Sequence, residues 1–264
     1  MTDAIPQTPV TYLEVGEGGN RRRIATICEP GEAPGVLWMQ GFKSDMISTK
    51  ATALSEWTRA QDVAYTRFDY SGHGQSSGRF EQGTIGRWLE EAIAVFSHVT
   101  AGPQVVVGSS MGGYLALLVL KRLLATRPEE ARRIKALVLI APAWDMTEEL
   151  MWRQFPDDVK QRIEADGVWL RPSQYGDPYP ITKELIADGR QHLVGHSPWD
   201  PGRPVRIIQG RLDPDVPYSH AVRLMSILTG ADQSLIEVPD GEHRLSRPQD
   251  LELLFETIAE IRKP

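Results

Sequence analysis

The stretch from Val105 to Leu118 constrains the fold of this chain more than any other. A run of β-branched residues leads through a G-x-S-x-G pattern into an apolar segment with helical spacing. The five-residue pattern is weak alone, but in this setting it predicts a strand, a sharp turn and a helix. Ser110 stands at the tip, where a strained backbone needs glycine neighbours because strand and helix approach closely. The amides and dipole of the helix favour negative charge beside Ser110.

Strand and helix patterns alternate over most of the chain, which predicts crossover connections and a mostly parallel sheet. The first two strands are the exception, because the turn-rich segment Gly16–Asn20 suits a hairpin. The predicted strands are Val10–Val15, Arg22–Cys28, Gly35–Met39, Val63–Phe68, Val105–Val107, Ile134–Ile140, Pro204–Gly210 and Ser234–Val238. The predicted helices are Thr49–Ala60, Ile85–Val99, Met111 to about Thr126, Asp157–Ala165, Thr182–Leu193, Tyr218–Leu228 and one after Ser246, where the S-x-x-Q spacing to Gln249 fits a capping box.

The alternation stops at Pro142 and resumes at Pro204. We expect the intervening segment, about 142–203, to form a small helical lid over the carboxyl ends of the strands. The alternative is a solvent-facing elaboration whose aromatic side chains pack on the sheet. Those side chains are Trp144, Trp152, Trp169, Tyr175, Tyr179 and Trp199. A chain of 264 residues with 41% hydrophobic content suits one α/β domain, 1–264, with an eight-stranded sheet flanked by helices.

Composition narrows the class of partner and the compartment. A formal net charge of −6 argues against a nucleic-acid or anionic membrane surface. We interpret Arg21–Arg23 and Arg132–Arg133 as solvated strand and helix ends. Cys28 has no partner for an internal disulfide, and we expect it to be a small buried hydrophobic residue in a reducing compartment. We see no signal or transit peptide at the N-terminus and no apolar run of membrane-spanning length, so we expect a cytoplasmic protein.

The chemistry suggested by Ser110 requires two more side chains. A serine hydroxyl becomes a good nucleophile only when a base removes its proton, and an acid must orient that base. Two loops that follow predicted strands carry candidates. Gly210–Pro217 contains Asp213 and Asp215, and Pro239–Arg244 contains His243. Functional residues in open α/β sheets collect in such loops.

The chain resembles the α/β-hydrolase family, most of all its branch that contains a mitochondrial palmitoyl-protein thioesterase and acyl-glucuronide esterase. The resemblance implies the α/β-hydrolase fold, with Ser110 as nucleophile, Asp213 as orienting acid and His243 as general base. It extends from about Ile24 to Ile261. The segments that carry it are Gly41–Met46, Phe68–Ser76, Gly108–Gly112, Ser197–Pro198, Gly210–Pro217 and Gly241–His243.

Other polar residues compete for roles. Asp215 is the rival of Asp213, but the family's acid commonly stands three residues after the glycine that closes the strand, and we expect Asp215 to cap the turn into the next helix. We assign His73 to the structure of its glycine-rich loop. His192 and His196 are four residues apart, but no acidic partner is spaced with them and Gly195 interrupts the helix, so we predict no metal site.

Acyl transfer also needs donors for a tetrahedral oxyanion. We expect the backbone N–H groups of Met111 and Phe42 to be those donors, with Gly41 as the reserve. Relatives often have His-Gly where this chain has Gln40-Gly41, a departure that affects the geometry of the loop more than the mechanism. Because Trp144 follows the strand that ends at Ile140, we expect it to bind an apolar part of the substrate.

We therefore predict a serine hydrolase that cleaves carboxylic esters or thioesters, with an apolar acyl group and a more polar leaving group. Serine at position 110 argues against haloalkane dehalogenases and epoxide hydrolases, which need a carboxylate nucleophile. Gly108–Gly113 lacks the lysine of a phosphate-binding loop, so no cofactor is expected. The alternatives are an acyltransferase or C–C hydrolase with the same triad, and a non-catalytic ligand-binding protein of the same fold.

Overall fold

A large sheet forms the centre of the molecule. The computed structural model describes residues 8–172 and 178–263. In that part of the chain the strands are β1 (Thr11–Val15), β2 (Arg22–Glu29), β3 (Glu32–Met39), β4 (Val63–Phe68), β5 (Gln104–Ser109), β6 (Ile134–Ile140), β7 (Val168–Arg171), β8 (Tyr179–Thr182), β9 (Val205–Gly210) and β10 (Gln233–Val238).

Eight of these strands make one sheet in the order β1-β2-β4-β3-β5-β6-β9-β10. β2 pairs antiparallel with both β1 and β4, and the pairs from β4 to β10 are parallel. The predicted α/β-hydrolase fold, with its mostly parallel eight-stranded sheet, is confirmed. Because the parallel strands end at one edge, the loops after β3, β4, β5, β9 and β10 open on the same side of the molecule.

Helices cover both faces of this sheet. The α-helices of the described residues are α1 (Thr49–Ala60), α2 (Ile85–His98), α3 (Met111–Thr126), α4 (Pro128–Ala131), α5 (Asp157–Asp166), α6 (Lys183–Gly189), α7 (Tyr218–Ile227) and α8 (Pro248–Ile261), of which α5 and α6 belong to the segment between β6 and β9. One apolar core forms between the sheet and α1 and α8, through residues such as Leu54 and Leu254. A larger core forms against α2, α3 and α7, through Trp88, Leu115 and Leu224. Because the sheet is covered on both faces, its central parallel strands β5 and β6 are apolar along most of their length.

The segment between β6 and β9 differs in part from its prediction. It contains a π-helical turn at Thr147–Met151, a 3₁₀ turn at Trp152–Gln154, and the helices α5 and α6. β7 and β8 form an antiparallel pair in a segment for which the sequence predicted no strands. The predicted helix Thr182–Leu193 is shorter, because the Thr182 hydroxyl caps its start and α6 ends at Gly189. Tyr175 lies outside the described residues.

Two predictions about β2 are wrong. Cys28 is exposed, because successive side chains of a strand point to opposite faces and its neighbours Ile27 and Glu29 take the buried face at this end of β2. Arg22 is buried, and its Nε donates a 2.6 Å hydrogen bond to Oε1 of the fully buried Glu91. The position of α2 beside β2 provides that partner, which a local reading of an arginine run cannot reveal.

The predicted capping box of α8 is shifted by one residue. The helix begins at Pro248 with Arg247 before it, and the Asp250 carboxylate accepts a 3.0 Å hydrogen bond from the Arg247 backbone N–H. The Ser246 hydroxyl instead donates to the carbonyl of Arg244. Proline at the first helical position fixes this start, because its missing N–H is not needed there.

Candidate active site

Ser110 occupies a strained turn between β5 and α3. Its backbone has φ 55° and ψ −118°, a conformation that residues other than glycine rarely adopt and that costs about 1–3 kcal/mol. The turn is held by a 2.8 Å hydrogen bond from the Ser110 N–H to the Ile140 carbonyl. A β-carbon on Gly112 would overlap the carbonyl oxygen of Met39, so the close approach of α3 to β3 requires glycine.

The three residues predicted as a triad lie together. His243 Nε2 is 3.1 Å from the Ser110 Oγ, and His243 Nδ1 is 2.8 Å from Oδ2 of Asp213. These side chains come from the loops after β5, β10 and β9. Both distances are within hydrogen-bond range, so a proton can pass from the serine to an imidazole that a carboxylate orients.

Asp213 is fixed on all sides. Its Oδ1 accepts hydrogen bonds from the N–H groups of Asp215 and Val216, at 2.9 and 2.8 Å. Its Oδ2 accepts one from His243 and a 3.1 Å bond from Nε2 of Gln209. Gln209 is fully buried at the end of β9 and is a contact that sequence analysis missed. In the sequence, the feature that could have indicated this contact is an amide side chain directly after two isoleucines at the end of a predicted strand.

Asp215 does not take the role expected of it. Its side chain is exposed, α7 begins at Tyr218 after Pro217, and among the described residues no side-chain hydrogen bond caps the start of that helix. The predicted cap is therefore wrong. The carboxylates of Asp213 and Asp215 and the imidazole of His243 lie within 4.8 Å of one another and could offer three ligands to a metal ion. Such an ion would compete with the Asp213–His243 hydrogen bond.

Lys50 on α1 tethers the loop that carries His243. Its Nζ donates to the Arg244 carbonyl and, at 3.2 Å, to the Ser246 hydroxyl. Burial lowers the pKa of Lys50 to about 8, the positive charge of Arg244 adds to this effect, and Asp250 opposes it. α1 follows the loop after β3, so one ammonium group joins the two sides of the site.

The loop 40–48, which follows β3, brings Phe42 to the site. A β-carbon on Gly41 would lie 3.3 Å from Cβ of Ser110, so this loop runs directly past the serine. The Phe42 ring packs edge-on against Phe80, with ring centroids 4.9 Å apart, and against Tyr179, at 5.7 Å. Met111, the other predicted oxyanion donor, is the first residue of α3. The loop 40–48 and the first turn of α3 therefore both border Ser110.

Trp144 lies in the interior. Its exposed fraction is 1%, its indole N–H donates a 2.9 Å hydrogen bond to the His220 carbonyl, and its ring stacks on the His220 ring. Burial lowers the pKa of His220 to about 4, so a neutral imidazole faces the indole. The ring therefore presents almost no free surface in this structure, and substrate binding by Trp144 stays a prediction.

His192 has an acidic neighbour that the sequence interpretation did not recognise. Its Nε2 is 3.7 Å from Oδ2 of Asp188, four residues earlier in the chain. That carboxylate also accepts a 2.7 Å hydrogen bond from the Gly86 N–H. Burial alone would raise the pKa of Asp188, but the interactions with His192 and Gly86 lower it. Asp188 thus ties the segment between β6 and β9 to the start of α2.

Comparison with known proteins defines the class. A model of the alpha/beta hydrolase family matches residues 42–252, and the chain belongs to that family. Palmitoyl-protein thioesterase ABHD10, mitochondrial, from Bos taurus is 34% identical over 235 residues, which cover 88% of this chain and 74% of the relative. The predicted resemblance to this branch is confirmed, and the prediction of an ester-cleaving hydrolase agrees with it.

Two solved structures are similar throughout. A putative hydrolase from Agrobacterium vitis S4 has a TM-score of 0.93 and 39% identity, covering 98% of this chain and all of that one. The alpha/beta hydrolase domain-containing protein 10 from mouse has a TM-score of 0.83 and 30% identity, covering 96% of this chain and 98% of that one. Within the described residues, no helix is long and apolar enough to cross a membrane. Because the curated relative is named as mitochondrial, the cytoplasmic location stays a prediction.

Proposed function

We propose that this chain hydrolyses carboxylic esters or thioesters through an acyl-enzyme, with Ser110 as nucleophile, His243 as general base and Asp213 as the acid that orients it. The observation that carries the proposal is the hydrogen-bonded line from Ser110 Oγ through His243 to Asp213, at 3.1 and 2.8 Å. The strained turn at Ser110 supports it, because such strain concentrates at reactive side chains.

Each step can be written on these atoms. His243 Nε2 takes the hydroxyl proton while Ser110 Oγ bonds to the substrate carbonyl carbon. The tetrahedral intermediate collapses, the bond to the leaving oxygen or sulfur breaks, and His243 gives that atom the proton. Water then enters, loses a proton to His243 and attacks the acyl-enzyme to form a second tetrahedral intermediate. The bond from its carbon to Ser110 Oγ breaks, His243 returns the proton to that oxygen, and the acid leaves. The amides of Met111 and Phe42 stabilise both oxyanions, by about 3 kcal/mol each.

The substrate that fits best joins an apolar acyl group to a more polar leaving group. Phe42 and Tyr179 line the side of the loop 40–48 with aromatic surface. The name of the Bos taurus relative, a palmitoyl-protein thioesterase, also indicates a long acyl group for that protein. The segment 142–203 contributes Tyr179 to this surface, which supports its role as a lid on a single domain, 1–264. Transfer of the acyl group to an alcohol, the runner-up activity, would use the same atoms with an acceptor in place of water.

The nucleophile is tested by covalent labelling with a fluorescent fluorophosphonate. The wild-type protein should be labelled, and Ser110→Ala should not be, because the phosphonate needs the serine oxygen. Ser109→Ala is the matched control and should remain labelled. Mass spectrometry of the labelled peptide locates the adduct. The yields of free acid and of methyl ester in the presence of added methanol compare hydrolysis with acyl transfer. Undiminished labelling of Ser110→Ala would contradict the assignment of Ser110 as the nucleophile.

A further inference from the structure

His73 connects two loops on neighbouring strands of the sheet. It stands in the loop after β4, has an exposed fraction of 5%, and its Nε2 accepts a 3.2 Å hydrogen bond from the backbone N–H of Lys43. Lys43 directly follows Phe42, the expected oxyanion donor, and has a φ of 56°. The loop that passes Ser110 is therefore held by a side chain from outside it.

The partners of His73 define its tautomer. Nδ1 lies 3.1 Å from the Ser71 carbonyl, which can only accept a hydrogen bond, so Nδ1 carries the proton. Nε2 then has a free lone pair for the Lys43 N–H. Burial lowers the pKa of His73 to about 4, the Ser71 carbonyl opposes this, and Lys43 adds to it. A neutral imidazole suits the bond to Lys43, because an imidazolium would oppose one N–H with another.

The support for His73 continues into α2. The Ser71 N–H donates a 2.8 Å hydrogen bond to Oε2 of Glu91, whose Oε1 accepts the bond from Arg22. The Trp88 indole N–H donates to the same Ser71 carbonyl, at 3.2 Å. Trp88 also packs edge-on against the imidazole, with ring centroids 5.4 Å apart. A ring fixed at both nitrogens and across its face cannot rotate away from Lys43.

We propose that His73 is a positioning residue for oxyanion stabilisation: it holds the Lys43 amide and thereby orients the neighbouring Phe42 amide toward the oxygen that develops negative charge at Ser110. This inference rests on the proposed function and deepens it. In sequence, Phe42 stands between Gly41, where the chain passes so close to Ser110 that an added β-carbon would lie 3.3 Å from Cβ of the serine, and Lys43, whose N–H is bonded to His73. A donor set in advance needs no reorientation as charge develops.

Three substitutions of His73 distinguish the loss of its hydrogen bond to Lys43 from the loss of its packing volume. Glutamine places its amide oxygen where Nε2 lies and can still accept from Lys43, whereas asparagine reaches only the position of Nδ1. Leucine fills volume and accepts nothing. We expect His73→Asn and His73→Leu to lower kcat about 10- to 100-fold with KM changed less than about twofold, since loss of a whole donor costs about 10²- to 10³-fold. His73→Gln should stay within about fivefold of wild type.

The distinguishing measurement is the affinity for an acyl trifluoromethyl ketone, which forms a tetrahedral oxyanion on Ser110. If His73 acts through the oxyanion, this affinity weakens across the three variants in proportion to kcat/KM, whatever happens to Tm. Loss of activity with unchanged ketone affinity, or full activity in His73→Asn, overturns the proposal.

If the Asn and Leu variants do not fold, the α-hydroxy analogue of lysine at position 43 removes the same N–H and leaves His73 intact. It should lower kcat and ketone affinity together, and unchanged values of both overturn the proposal. Fluorophosphonate labelling of Ser110 in the variants should be slower, because phosphonylation also places charge on an oxygen beside these amides, but it should reach completion. Complete labelling keeps this outcome distinct from a failure of the proposed function, which would show as an unlabelled wild-type protein.

Discussion

The carboxylate of Asp213 accepts four hydrogen bonds, three of them from groups that belong to its own loop and strand. That arrangement fixes the oxygen that faces His243 before any substrate arrives. Asp215 is two residues away and exposed, and its backbone N–H serves Asp213. Asp213 therefore orients His243 with its carboxylate, whereas Asp215 contributes only its backbone N–H, a difference that their positions in the sequence do not reveal.

At the residue scale the first prediction compares these two acids. Asp213→Asn should lower kcat by about 10³- to 10⁴-fold, because an amide at this position favours the wrong imidazole tautomer. Asp215→Asn should cost less than about tenfold, since it keeps its backbone N–H. Steady-state kinetics on one soluble ester decides between them, and the reverse ranking would give the role to Asp215.

The second residue-scale prediction concerns Lys50 and pH. Its pKa is lowered to about 8 in the folded protein from an ordinary value of 10.5, so between these values the unfolded chain binds more protons than the folded one. The Lys50 contribution to the free energy of unfolding therefore rises with pH across this window. Urea denaturation from pH 7 to 10 should show wild type gaining stability relative to Lys50→Met.

Lys50→Arg is the matched control, because arginine stays charged over this range. Relative to Lys50→Met it should show no such gain. A pH-independent difference between wild type and Lys50→Met would contradict the account.

At the scale of elements, β8 carries Tyr179 from the segment between β6 and β9 to the loop 40–48. Its ring lies 5.7 Å from that of Phe42, and the Lys43 ammonium lies 5.4 Å from the Tyr179 centroid. The partner strand β7 has Leu170 on its outer side, with an exposed fraction of 60%. The pair of β7 and β8 therefore has one face toward the site, marked by Tyr179, and one face toward solvent, marked by Leu170.

The prediction at this scale is a dependence on acyl length. Each buried methylene contributes about 0.8 kcal/mol, so kcat/KM should rise by up to about fourfold per carbon from acetyl p-nitrophenyl esters until the pocket is full, then fall. Tyr179→Ala should move the optimum, and Leu170→Ala should not. Highest activity on acetyl esters, with a steady decline afterwards, would reject an extended acyl pocket and leave the triad untouched.

At the scale of the whole molecule, the pair of Arg22 and Glu91 joins the antiparallel strand β2 to α2 and the support of His73. Burial alone would lower the pKa of Arg22, but its bonds to Glu90 and Glu91 raise it. Burial raises the pKa of Glu91, although its bonds to Ser71 and Arg22 act in the opposite direction. The pair is therefore costly to bury and costly to break.

We predict that Arg22→Met lowers the free energy of unfolding by about 3–5 kcal/mol, because it leaves Glu91 buried without its cation. Arg23→Met, an exposed neighbour, should cost less than about 1 kcal/mol. Arg22 opposes the rise in the pKa of Glu91, so its loss should raise that pKa further. The folded variant then takes up a proton at Glu91 more readily than the folded wild type, and its deficit should shrink as pH is lowered. Urea titrations at pH 5 and 8 measure both effects, and equal losses for the two arginines would refute the prediction.

The sequence by itself determined the features whose cause is local. The turn at Ser110 follows from glycines beside a strand and a helix, and α1, β4 and β6 have the predicted bounds because their periodicity and end signals agree. The loops with Asp213 and His243 were recognisable because they follow apolar strands. The order Ser110, Asp213, His243 along the chain is also the order found in α/β-hydrolases, so it supported the family resemblance.

Only the tertiary structure decided which distant groups meet. The bond from Gln209 to Asp213, the anchoring of Lys43 by His73, the burial of Arg22 and the packing of Trp144 on His220 all depend on neighbours far away in the chain. A polar side chain has the same local pattern whether it faces water or a buried partner. The free energy of that choice comes from desolvation and from the partner, and both exist only once the sheet has set its strand order.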